Sequence, residues 1–111
     1  KGGGIVGTRL VDIASVIRSK NAGPYELTFD IIFKSAEWFE RVKTSGVINK
    51  SFVSRLFCIP EDSVLAIIEF HPASAIKITI KRTIVSGDIG ETDVYGAQQH
   101  APLLNTEFEG L

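Results

Sequence analysis

Tyr25-Glu26-Leu27-Thr28-Phe29-Asp30-Ile31-Ile32-Phe33 is the stretch whose reading decides the fold class. Tyr25, Leu27, Phe29, Ile31 and Phe33 alternate with Glu26, Thr28, Asp30 and Ile32, a period of two. Side chains on a strand point alternately to opposite faces, so this pattern predicts a strand with one covered and one mostly polar face. The covering elements follow at once. Ser35 is a candidate N-cap, and Trp38, Phe39 and Val42 put an apolar stripe on a helix that Gly46 can end. A second short helix begins with Asn49 or Ser51 as cap, carries Phe52, Val53, Leu56 and Phe57 inward, and is stopped by Pro60.

Further along, Val64 to Phe70 is apolar nearly throughout and reads as a strand buried on both faces. His71-Pro72-Ala73-Ser74 is a short connection to a half-exposed strand, in which Ile76, Ile78 and Ile80 alternate with Lys77, Thr79 and Lys81. So short a connection predicts an antiparallel hairpin. Upstream, Thr8 to Ile17 is open to two readings. Leu10, Ile13, Ala14 and Ile17 have helical spacing with Thr8 as cap, whereas Val11, Ile13, Val16 and Ile17 suit a strand. Ser86 to Gly96 reads as loop, Ala97 to Leu104 as a turn of helix limited by Pro102, and Glu107 and Glu109 as an acidic tail. Strands separated by helices give an α+β class, with about four antiparallel or mixed strands and helices on one face. Residues 1–8 read as a flexible lead-in and 9–111 as one domain.

Composition narrows the functional classes. The 111 residues are 44% hydrophobic and 23% charged, ordinary values for one globular domain. Twelve basic against thirteen acidic residues leave a formal charge of -1, so no bulk field draws the chain to nucleic acid or an anionic membrane. The apolar runs are too short to span a bilayer. The single cysteine, Cys58, follows Leu56 and Phe57 and reads as a buried, inert thiol in a reducing, cytoplasmic setting. Lys1 and the lack of methionine suggest that the true start of the chain is missing, and no signal peptide is visible. Lys1-Gly2-Gly3-Gly4 lacks the ending of a P-loop. Asp88, Glu91 and Asp93 lack the ligand spacing of an EF-hand, and Cys58, His71 and His100 are too scattered for a zinc site, so neither metal nor cofactor is expected.

Two segments stand out chemically. Arg18-Ser19-Lys20-Asn21-Ala22-Gly23 puts two cations, a hydroxyl, an amide and a glycine beside a strand. As a loop it suits a carboxylate or phosphate, with Arg18 as a fork and glycine amides as a nest; the other reading is a solvated turn. Asp93, Tyr95, Gln98, Gln99 and His100 give five polar groups within eight residues. A histidine oriented by a carboxylate suits acid–base work near neutral pH; the alternative is surface histidine and glutamines that cap backbone groups. Lys77, Thr79 and Lys81 form a basic strand face that reads as solvated or subunit-contacting surface.

Val16-Ile17-Arg18-Ser19-Lys20-Asn21-Ala22-Gly23-Pro24, together with Thr92-Asp93-Val94-Tyr95-Gly96-Ala97-Gln98-Gln99-His100-Ala101-Pro102-Leu103-Leu104, resembles signatures of a small family found beside or fused to acyclic-terpene-utilisation A-like (AtuA-like) proteins. The resemblance covers roughly residues 9 to 108 and includes Ala75-Ile76-Lys77-Ile78-Thr79-Ile80. The family pattern has Phe-Asp-Pro-Ala where this chain has Phe70-His71-Pro72-Ala73. The layout is also distantly similar to the ferredoxin-like domain that closes AtuA-like proteins.

The resemblance implies a ferredoxin-like sheet and the small subunit of a two-subunit hydro-lyase acting on a small carboxylic acid or acyl-coenzyme A. In that enzyme Arg18, Ser19, Lys20, Asn21, Gly23, Tyr95, Gln98 and Gln99 would bind substrate, while His100 and Asp93 would move a proton. An AtuA-like large subunit would complete the site at the interface. The alternative is a non-catalytic assembly module. Under either, Leu103, Leu104 and Phe108 point to an oligomer, because an exposed apolar tail marks a binding surface; otherwise the tail folds back over its own sheet.

Overall fold

A computed structural model describes residues 7–23, 25–81, 101–109 and 111. In chain order the elements are β1 (Gly7–Arg9), α1 (Leu10–Ile13), β2 (Ala14–Gly23), β3 (Glu26–Phe33), α2 (Ala36–Ser45), α3 (Lys50–Phe57), β4 (Val64–Phe70), β5 (Ala75–Lys81), α4 (Ala101–Leu104) and β6 (Glu107–Glu109). Four strands form one antiparallel sheet in the order β2-β3-β5-β4, and β1 pairs with β6 in a small ribbon. This is the expected α+β class, and the strand order is compatible with a ferredoxin-like arrangement. The unit β3-helices-β4-β5 puts β5 between β3 and β4, as in a split βαβ motif; the strand beyond β3 comes from the N-terminal hairpin.

Burial follows the period-two reading of β3. Leu27, Phe29, Ile31 and Phe33 are all buried, as are Ile76, Ile78 and Ile80 opposite them on β5. Phe29 stacks on Phe57 of α3 at 4.6 Å between ring centroids, and Phe33 meets Phe39 of α2 at 6.2 Å. The helices therefore cover this inner face. Ser35 caps α2 by accepting a hydrogen bond from the Trp38 N–H at 3.2 Å, and Asn49 caps α3 by accepting from the Phe52 N–H at 2.8 Å. Gly46 ends α2 at φ 70°, a left-handed conformation that costs a residue with a Cβ about 1–2 kcal/mol. Ser35→Ala is expected to cost about 1 kcal/mol through the lost cap, read as a lower urea midpoint at unchanged slope.

Several expectations change at the ends. Residues 8–17 are neither one helix nor one strand: α1 is a single turn between β1 and β2. Leu10 and Ile13 enter the core from that turn, which satisfies the helical spacing, and the β-branched run from Val16 onward then pairs with β3. Gly7 and Thr8, expected in a flexible lead-in, pair with Glu109 and Phe108. Arg9 donates from Nε to Asp12 at 3.1 Å. That hydrogen bond holds the Asp12 carboxyl below its ordinary value. Its small stabilisation is present above the ordinary carboxylate range and is lost as pH falls through the lowered value.

β4 is not buried on both faces. It is an edge strand, with Leu65, Ile68 and Phe70 exposed. A nearly continuous apolar run does not by itself distinguish a central strand from an edge strand whose outer face is partly apolar. Cys58 is exposed rather than buried, because the apolar stripe of α3 stops at Phe57 and Cys58 turns the chain away at φ 58°. The tail does not present its apolar residues as a patch. Leu103 is 0% and Phe108 6% exposed within the chain's own core, and Phe108 packs on Phe52 at 5.5 Å. Only Leu104 remains exposed. The expected subunit contact at Leu103 and Phe108 is therefore replaced by intramolecular packing.

Candidate functional site

Helices cover the inner face of the sheet, which leaves the outer face for a ligand. Register fixes its composition. One row across β2, β3, β5 and β4 reads Arg18, Asp30, Lys77, Ile68; the next reads Val16, Ile32, Ala75, Phe70. Side chains opposite one another in antiparallel pairs share a face, with Cβ atoms about 4.5–5.5 Å apart. Arg18, Lys20, Asp30, Ile32, Ile68, Phe70, Ala73, Ala75 and Lys77 together line a concavity of about 410 Å³. The volume is in the range of small-molecule sites.

The electrostatics are one-sided. Arg18 Nε lies 3.1 Å from Asp30 Oδ2, and the Asp30 side chain is only 15% exposed. Lys20 and Lys77 form no ion pair among the described residues. Among the described residues, three cations against one carboxylate leave an excess of positive charge beside an apolar wall of Ile32, Ile68 and Phe70. Such a surface can hold an anionic group on one side and a hydrocarbon body on the other.

The sequence-derived site is divided by this geometry. Arg18 to Gly23 belong to β2 and do not form a loop, so alternation separates them. Arg18 and Lys20 line the concavity, while Ser19 and Asn21, paired with Phe29 and Leu27, take the helix-side parity. Gly23 sits at the register shift that ends β2, with φ 150°. One anion therefore cannot be wrapped by all five residues at once. Asp93, Tyr95, Gln98, Gln99 and His100 lie outside the described residues. The strand before that segment ends at Lys81, which pairs with Glu26 at the hairpin end of the sheet.

Sequence reasoning read Lys77 only as part of a solvated or subunit-contacting basic face, and it placed Ile32, Ile68 and Phe70 in no site. Their signal was present: Ile32 is an apolar residue at a polar-face position of β3, and Lys77 falls opposite Asp30 once the hairpins are in register. His71 lies near two carboxylates, 4.0 Å from Glu40 Oε2 and 3.8 Å from Glu69 Oε1, and edge-on to Phe39 at 5.1 Å. No cluster of three or more metal-ligating side chains occurs among the described residues. No helix among them is long and apolar enough to cross a membrane.

No curated protein and no solved structure matches the chain. Residues 10–107 do match one family across nearly the whole domain, and the chain belongs to it: the family described as "Domain of unknown function (DUF4387)".

Proposed function

We propose that this chain is the small, acid-binding subunit of a two-subunit enzyme, a hydro-lyase whose substrate is a small carboxylic acid or its coenzyme A thioester. The supporting observation is the outer sheet face, where Arg18, Lys20 and Lys77 surround Asp30 beside an apolar wall. Hydration or dehydration next to a carbonyl builds negative charge on oxygen, and fixed cations stabilise that charge as it develops. In this reading Arg18, Lys20 and Lys77 hold and polarise the carboxyl group, and Ile32, Ile68 and Phe70 exclude water from the hydrocarbon part. Asp93 and His100 are proposed to move the proton, with an AtuA-like large subunit completing the site. The reaction class and the partner rest on the sequence resemblance alone.

A second reading, an assembly module without chemistry, draws support from the exposed Leu65, Ile68 and Phe70 on edge strand β4. Exposed apolar edges are surfaces on which other chains pair. One experiment separates the two. Lys20→Ala and His100→Ala variants are combined with the large subunit, and complex formation is measured beside turnover. The enzyme reading expects intact assembly with turnover reduced by at least about tenfold, the scale of one lost charge-assisted contact. Lost assembly would support the module.

A further inference from the structure

The outer face constrains its ligand more narrowly than "a carboxylic acid", and the inference that follows rests on the acid-binding reading above. The charge count comes first. Among the described residues the concavity holds Arg18, Lys20 and Lys77 against Asp30, an excess of two positive charges. Asp30 contacts Arg18 through Nε, so that pair takes up the one carboxylate that lines the concavity among the described residues. Lys20 and Lys77 are left without an ion pair among the described residues. A monoanion would answer only one of them.

Position comes second. Lys20 is on β2 and Lys77 on β5, either side of β3, and their rows are offset by two residues. Strand spacings of about 4.8 Å and a rise of about 3.4 Å per residue put their Cα atoms roughly 12 Å apart. The two charges therefore flank the site from opposite sides and do not form one cluster. A compact group bearing both negative charges on one atom centre meets this arrangement less well than two acids joined by a short chain.

The remaining lining sets the body. Ile32, Ile68, Phe70, Ala73 and Ala75 are apolar and continuous, with Phe70 and Ile68 about half exposed at 54% and 52%. They offer no hydrogen-bond donor to a polar chain but suit a methyl-branched one. Size favours the smaller candidate. A concavity of about 410 Å³ accepts a short diacid whole, whereas a coenzyme A thioester would extend beyond it.

We infer that the outer sheet face binds a short, apolar-bodied dicarboxylate as the free acid, one carboxylate on the Lys20 side of Asp30 and the other on the Lys77 side. The test is calorimetric titration of the full chain at fixed ionic strength with four probes: 2-methylbutanedioate, 3-methylbutanoate, isobutyl phosphate and isobutyryl-coenzyme A. The diacid should bind about tenfold or more tightly than the mono-acid. Lys20→Met and Lys77→Met should each remove that advantage, and circular dichroism should show both variants folded, since both lysines are exposed on strands. Equal or tighter binding of the mono-acid or the thioester, still weakened by Lys20→Met, overturns the diacid inference and leaves the acid-binding reading standing. Tightest binding of the phosphate ester also overturns the diacid, because it places both charges at one point. Binding of none of the four overturns the inference and the acid-binding reading together.

Discussion

Phe29→Ala is expected to remove about 3–5 kcal/mol of stability, a large share of the roughly 5–15 kcal/mol that holds a domain folded. Phe29 is fully buried at the middle of the central strand and stacks on Phe57, so its ring joins sheet to helix layer. Truncation removes both the transfer energy of the ring and its packing against α3, and the backbone of a central strand has little room to collapse into the gap. Urea unfolding followed by tryptophan fluorescence measures the loss, since Trp38 packs against the same core. A loss below about 1 kcal/mol would mean that Phe29 is not at the centre of the core.

The second large effect concerns the C-terminal segment. Leu103→Asp is expected to unfold the isolated chain or lower its stability by about 4 kcal/mol or more, because an unpaired carboxylate would replace a fully buried leucine. Leu104→Asp, one residue on and 42% exposed, should change stability by less than about 0.5 kcal/mol. Thermal melting of the two variants, with native mass measurement of each, distinguishes a tail that is part of the core from one that is an interface. If Leu103→Asp melted like the parent chain but failed to assemble, the tail would be a docking surface after all.

These two positions also show where sequence reading works and where it stops. Alternation in β3 was legible because period two is a local property, and so were the caps at Ser35 and Asn49, which need only a side chain and the next turn. The fate of Leu103 and Phe108 was not legible, because it depends on β6 returning to β1 across the whole chain. Likewise Val64 to Phe70 reads as strand from its composition, but its position at the sheet edge is set by the order β2-β3-β5-β4, a non-local fact. For the site, Arg18 and Lys20 stood out as residue types, yet their separation from Ser19 and Asn21 required knowing that the segment is a strand. Lys77 was legible as part of a basic strand face, but its place beside Arg18 and Asp30 needed the register of β3 with β5.

At the centre of this account is an anion site on the sheet face opposite the helices. Chemical-shift mapping of the full chain during titration with 2-methylbutanedioate tests it most directly, because the two faces alternate residue by residue along each strand. The account predicts saturable shifts in the side chains of Arg18, Lys20, Asp30, Ile68, Phe70 and Lys77, weakening as salt screens the cations, with Ser19, Phe29 and Ile78 of the opposite face unmoved. Shifts centred on the helix side, or none at concentrations that saturate a millimolar site, would contradict it.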